Sequence, residues 1–389
     1  MQRITGADRR VRLGIRHHLA CPAAHVETAA SGVLGLHSSD PVSVYLGAQA
    51  RVGRFDAADM ERALYDDRTL VRMSGMRRTL FVVSRDFAAA MRCASGRAHA
   101  TAERRRLSGM LADQDVTANP EAWITKAESD VLTELAARGE ATARELREVI
   151  PELRETLRFG EGKTWGGTMG VSTRILFLLA ARGAILRARP LGSWISSQYR
   201  WTPTRSWLGD DLPGLDPERA RAQLAYRWLS QFGPGTFNDI KWWAGWSARD
   251  ARSALEACDA VEVDLGERTG WILPDDIGPV EESSDWVALL PSLDSTVMGW
   301  KERDWFMNGH DKQLFDRNGN AGPTVWWNGA VVGGWAQRGD GEIALRILTS
   351  VPTGISEMIN AKAQRLHTWL DTTRITPRFR TPLEHGLRS

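Results

Sequence analysis

The chain has 389 residues, more than one ordinary domain of roughly 150, so two or three separate cores are predicted. Hydrophobic residues at 42% and charged residues at 25% sit at globular averages, which excludes wholesale disorder and a fibrous repeat. Net charge is only +2, but it averages over opposed patches. Five arginines against Asp8 lie between Gln2 and Arg16, while nine acids against Arg268 give −8 from Asp259 to Asp285.

No apolar run reaches the roughly 18 residues of a membrane span, and arginines occupy the place of a signal peptide's apolar region, so the expectation is a cytoplasmic protein with no membrane association. Cys21, Cys93 and Cys258 form no CxxC pair and read as buried thiols. The histidines lack HxxxH or HExxH spacing, so neither a metal nor a cofactor is expected. GEGKT, beginning at Gly160, is a poor phosphate loop, because its first glycine would fall at Leu157 with no strand before it.

All 17 tryptophans lie at or after Trp123, which sets the first 119 residues apart and places a boundary at Asn119-Pro120. Within that unit, Asp40 as cap and Pro41 as first helical residue predict a helix from Pro41, and Asp56 caps a second, short one. LVRMSGMRRTLFVV then changes period and reads as a hairpin around Ser74-Gly75 with a basic second strand. Helices followed by a two-stranded hairpin describe a winged helix.

The pattern recurs over 120–210, with helices split at Gly139, a third helix in VSTRILFLLAARG, and a hairpin turning at Leu191-Gly192. It recurs again over 211–285, where Thr236 is a candidate cap and VEVDLGERTGWILP is strand-like. From 286 to 389 the chain is β-rich, with an Asn328-Gly329 hairpin signal, a closing helix in SEMINAKAQRLHTWL, and a basic tail from Asp371 that reads as mobile. The predicted fold is therefore α+β: three tandem winged helices and a β-rich C-terminal domain.

Such a unit binds DNA by placing a helix in a groove and its hairpin on the backbone. Arg72, Arg77 and Arg78 on the first hairpin and Arg187, Arg189 and Arg200 on the second supply cations for this. Trp194 and Tyr199 offer rings to wedge or stack against bases, although hairpin aromatics more often pack on the domain beneath. Forty-four arginines against six lysines suit bidentate phosphate contacts. The competing reading of these units is protein docking.

Three motifs, in order, carry a resemblance to a known family. GLHSSDP and VYLGAQAR look like the GLQxQDP and YLGLWAR segments of the AlkZ/YcaQ family of winged-helix DNA glycosylases; FGPGTFNDIKWWAGW and LLPSLDSTVMGWKERDW resemble its third-repeat and C-terminal motifs. The resemblance spans roughly Val26 to Val351. It implies three winged helices and a β-rich domain enclosing double-stranded DNA, and excision of N-alkylated bases. Arg51, which closes the second segment, joins the DNA-binding set on this ground.

His37 and Ser39 stand where the family carries its catalytic Gln-x-Gln or Gln-x-Asp, and Gln49 stands where it carries Trp. A neutral imidazole with a pKa near 6.5 can orient or deprotonate water, and a serine hydroxyl can hold the same water. The plainer alternative is a buried polar contact at His37 and a turn cap at Ser39. The expected activity is a monomeric, monofunctional DNA glycosylase acting on alkylated purines such as N7-alkylguanine, with a lean toward bulky or crosslinked natural-product adducts, in base excision repair or self-resistance. The competing activity is a non-enzymatic DNA-binding regulator or lesion sensor.

Overall fold

The computed structural model describes residues 1–281, 284–377 and 380–388. Helices α1 (Gly6–Arg16) and α2 (Val26–Gly32) lead into strand β1 (Leu36–His37), helices α3 (Pro41–Gln49) and α4 (Ala57–Glu61), strands β2 (Leu70–Ser74) and β3 (Leu80–Ser84), and helices α5 (Arg85–Met91) and α6 (Arg97–Asp113). Next come α7 (Pro120–Arg138), β4 (Ala141–Thr142), α8 (Ala143–Val149), β5 (Thr156–Phe159), β6 (Gly167–Gly170), α9 (Val171–Ala181), β7 (Ile185–Pro190), β8 (Tyr199–Pro203) and α10 (Thr204–Leu208). A third stretch holds α11 (Pro217–Phe232), β9 (Gly235–Thr236), α12 (Phe237–Ala244), α13 (Ala248–Glu256), β10 (Val261–Asp264) and β11 (Thr269–Ile272).

One topology is repeated in all three stretches. A two-residue strand is followed by two helices, with the β5–β6 hairpin between them in the second stretch, and then by an antiparallel hairpin whose last strand pairs with the short strand, giving orders β1-β3-β2, β4-β8-β7 and β10-β11-β9. The caps explain where the helices start. Asp40 accepts from the Val42 N–H at 3.2 Å, Asp56 from Ala58 at 2.9 Å, and Thr236 from Asp239 at 3.1 Å. The remainder is a four-stranded antiparallel sheet, β12 (Val287–Leu290), β13 (Thr324–Trp327), β14 (Ala330–Gln337) and β15 (Ile343–Ile347). Short helices α14 (Asp304–Met307) and α15 (Asp311–Leu314) precede β13, and α16 (Thr353–Leu370) and α17 (Pro382–Arg388) follow β15. Asn328 and Gly329 both have positive φ, 45° and 79°, as a two-residue turn matched to strand twist needs.

The second stretch has its own core, running from Leu107 and Leu111 of α6 to Trp201. The first stretch, the third and the C-terminal sheet instead share one, in which Tyr45, Trp228, Phe232, Trp300 and Trp326 are buried together. Helix α3 explains the fusion. Val44, Tyr45 and Ala48 enter that shared core, while Val42 and Leu46 enter the layer between the C-terminal sheet and α16. An all-round apolar helix must be covered on every side, and full burial of each large side chain stabilises by about 1.5–3 kcal/mol.

Several expectations are corrected. The first hairpin does not turn at Ser74-Gly75 alone: five residues, Gly75 to Thr79, separate the strands, and Arg77 and Arg78 lie in that turn with φ of 50° and 62° rather than in the second strand. The second hairpin is joined by a loop from Leu191 to Gln198. GEGKT forms the turn of the β5–β6 hairpin, a pair not foreseen, and β12 was also not foreseen. The basic tail is anchored in part: α17 buries Leu383 and Leu387, while Arg378 lies outside the described residues. Cys93 is buried and Cys258 partly so, but Cys21 is exposed.

One polar contact crosses the shared core. Arg51, fully buried, donates to both carboxylate oxygens of buried Asp294, at 2.9 and 2.6 Å, and also to the Gly47 carbonyl and the Thr296 hydroxyl. Removing one member of such a pair leaves an uncompensated buried charge, at a cost of about 3–5 kcal/mol. Asp294→Ala is therefore expected to lower unfolding free energy by about that amount in a denaturant titration, and Arg51→Met with Asp294→Leu by clearly less. Equal losses would show that the charge pairing is not what matters.

Candidate active site

Strand β1 and the cap of α3 place the residues that resemble the family's catalytic element. His37 pairs with Phe81 of β3, and the Ser38 N–H donates to the Leu80 carbonyl at 2.7 Å. Gly35, at φ +108°, lets the chain enter β1, since a Cβ there would stand 2.6 Å from a Val83 methyl. Extended backbone alternates its side chains. Ser38 faces inward, accepting from Arg72 at 2.5 Å, while His37 and Ser39 both line a cavity of about 280 Å³.

Asp40, Arg77, Asp316 and Asn320 are among the other polar lining residues, so the first hairpin turn and a C-terminal loop meet at the same space. His37 is only 4% exposed and packs edge-on against Phe81, with ring centroids 5.3 Å apart. Burial, with help from the Arg77 charge and against that of Asp294, depresses its pKa to about 4, so the imidazole is neutral at physiological pH. Its buried Nδ1 has no partner among the described residues.

The two cavity carboxyls are pushed in opposite directions. Burial raises Asp40, and the Val42 N–H only partly opposes it. Asp316 is also raised by burial, but hydrogen bonds from Asn320 and Asn318 more than offset this and hold it below the usual carboxylate range. Divergent environments set the proton affinities of neighbouring carboxyls apart.

Beneath the cavity, a buried network ties the element down. His17 Nε2 is 3.2 Å from the Gln231 carbonyl, which can only accept, so Nε2 carries the proton and Nδ1 accepts from the Thr296 hydroxyl at 2.8 Å. Thr296 in turn accepts from Arg51. Two further bonds flank it: Ser43 Oγ to the Ser292 carbonyl at 2.8 Å, and Ser295 Oγ to the Gly35 carbonyl at 2.6 Å.

The DNA-binding set divides. Arg51 and Arg72 are fully buried: Arg51 holds Asp294, and Arg72 joins Ser38 to the Tyr199 hydroxyl at 2.7 Å. Arg78 is bound to buried Glu103, Arg189 to Glu61 and Asp66, and Arg200 lies 3.4 Å from Glu140, each charge already paired within the protein. Trp194 packs on Tyr45 and Trp369, with centroids at 4.7 and 5.7 Å, and Arg187 stacks on Trp201 at 4.3 Å. Of the set, Arg77 alone lines the cavity with His37 and Ser39. Asp294, Thr296, His17 and Asp316 were not singled out from sequence. A lone aspartate inside the apolar run LLPSLDSTVMGW was the available signal for the first.

A cavity lined by a neutral imidazole, an ionised carboxylate and a hydroxyl brings together groups that acid–base chemistry can use. The chain belongs to the AlkZ-like DNA glycosylase family, whose model matches residues 30–369, and it is accordingly a DNA glycosylase. Among solved structures it is similar to the Streptomyces sahachiroi DNA glycosylase AlkZ, with a TM-score of 0.70 at 17% identity over 95% of this chain and 98% of that one. No curated protein matches it in sequence. No helix among the described residues is long and apolar enough to cross a membrane. Family membership sets aside a non-enzymatic regulator.

The depressed His37 pKa fixes the sign of a pH effect. An ordinary histidine would lose its base function as pH falls through about 6 to 7. Here single-turnover excision at saturating enzyme is expected to stay level from pH 8 to about 5 and to fall only as pH drops through about 4. The unfolded chain takes up this proton near pH 6.5 and the folded chain only near 4, so stability also declines across that window, and rates are to be scaled to folded protein by circular dichroism. A rate that halves near pH 6.5 would show that His37 is solvated in the working enzyme.

Proposed function

We propose that this glycosylase hydrolyses the N-glycosidic bond of alkylated purines in double-stranded DNA and leaves an abasic site. The observation that carries the reading is His37, held neutral and oriented at the cavity wall beside Ser39. The imidazole takes a proton from water as the water oxygen bonds to C1′. The C1′–N9 electron pair leaves with the purine. An N7-alkylated guanine is already cationic, so no strong acid is required, and Asp316 supplies negative charge where positive charge develops on the sugar. Ser39 holds the water.

The β-α-α-β-β order, found in the first and third stretches and in the second with the β5–β6 hairpin inserted between its helices, supports reading the three stretches as winged helices that grip the duplex. A larger space of about 980 Å³ shares Asp316 and Pro377 with the cavity, which supports a bulky adduct over a methyl group as substrate. A bulky lesion suits an enzyme of self-resistance and argues against full extrusion of the base into a tight pocket.

Duplexes carrying 7-methylguanine or a bulkier N7 adduct, incubated with protein and heated in alkali, test the reading. Strand breaks at the lesion are expected, faster for the bulky adduct. His37→Ala is expected to slow excision by about 100-fold or more, the range for a positioned base, and Ser39→Ala by less. Among the described residues the cavity lining contains no lysine, so borohydride should trap no covalent complex. An adduct surviving borohydride, or excision by His37→Ala at the wild-type rate, would overturn the mechanism.

A further inference from the structure

Arg51, Arg78, Arg189 and Arg200 are each paired with a carboxylate, whereas Arg77 is not, and it meets Arg303, an arginine not singled out from sequence, across one indole. Arg77, in the first hairpin turn, lays its guanidinium carbon 3.7 Å from the ring centroid of Trp242 on α12. Arg303, in the segment before α14, stands 5.0 Å from the same centroid and 4.8 Å from that of Phe315. The two guanidinium carbons are therefore at most 8.7 Å apart, the sum of their distances to Trp242.

Among the described residues neither arginine has a carboxylate within 4.0 Å; Asp239 and Asp311 act on Arg303 only from a distance. Arg303 spends its Nε on the Val297 carbonyl at 3.1 Å, leaving a buried terminal nitrogen with no partner, and the buried Nε of Arg77 has none either. Burial depresses both to about 10, and Arg303 repels Arg77 further. Two half-buried like charges, repelling each other and braced on one indole, are costly unless an anion joins them.

We propose that Arg77 and Arg303 together clamp one phosphodiester of the DNA strand carrying the damaged base, and so set the register of that base against His37. A phosphate presents two unesterified oxygens, each able to accept from one guanidinium at about 2.8 Å, and such a bridge spans the separation available. Trp242 already braces both guanidinium groups and Phe315 that of Arg303, so little side-chain entropy is lost on binding. The clamp draws on the first stretch, the third and the C-terminal region at once, so it is complete only in the assembled fold. The proposal rests on the reading that the cavity receives a nucleotide of DNA.

The test is a scan by binding rather than by excision. Short duplexes with one tetrahydrofuran abasic-site analogue carry a neutral methylphosphonate at successive positions of the lesion strand. Wild-type protein is expected to lose about 10-fold in affinity at one position near the analogue, while Arg303→Ala and Arg77→Ala, each weaker overall, show no further loss there. The slope of log affinity against log salt should fall by about 1 for either variant. Arg303→Lys, keeping the charge and stem, should recover part of the affinity, which guards against misfolding as the cause. If one position weakens wild type and Arg303→Ala equally, the clamp is wrong while the cavity still receives DNA. If no position near the analogue matters to wild type, the DNA reading of the cavity fails with it. Competition by inorganic phosphate beyond its ionic-strength effect, without a position-specific loss, would assign the pair to a free anion and overturn the clamp.

Discussion

The bidentate bond between Arg51 and Asp294 is the contact on which the rest of the active region depends. It joins the segment just after the helix opened by Asp40 to the C-terminal segment that follows β12, two stretches 243 residues apart. Withdrawing two charges from water costs several kcal/mol per ion. That cost is met by the direct pairing and by bonds to Gly47, Thr296 and the Thr296 backbone N–H. Because so many partners converge, the pair tolerates little displacement. Ser43 and Ser295 add a bond on either side, so β1, which bears His37, is pinned from the C-terminal region as well as from its own sheet.

The same burial that makes this pair costly also selects the protonation state of the site. His37 and His17 are both buried near Arg51 or Arg77, and both are driven toward neutrality. His17 has a carbonyl and a hydroxyl to satisfy its ring, so it serves the frame. His37 keeps an unpartnered nitrogen and opens onto the cavity. A residue that differs from the family's glutamine at this position therefore retains what an amide offers, an uncharged polar group held in place, and adds the ability to accept a proton.

The distribution of arginine charge follows from packing rather than from count. Arg78, Arg189 and Arg200 close contacts between elements, and Arg72 reaches from β2 to the hydroxyl of Tyr199 across the first and second stretches. A basic hairpin is thus in part an internal brace. Arg77 keeps no carboxylate partner; it lies in a turn of left-handed backbone with its side chain on Trp242.

Local elements of the chain were legible because their causes are local. Asp40 and Pro41 open α3, Gly139 at φ 80° closes α7, Thr236 caps α12, and Asn328-Gly329 turns the C-terminal hairpin, each by chemistry contained within four residues. The motif around His37 was legible through its resemblance to the family's catalytic element, whereas β1, a two-residue strand paired with distant β3, was not. What no local rule contains is which arginine meets which acid. The identity of Arg51 as a core ion-pair member, the closure of the tail by α17, and the meeting of Arg77 with Arg303 all join segments far apart in sequence. They are set when the shared core excludes water, because only then does an unpaired charge become costly enough to dictate its partner.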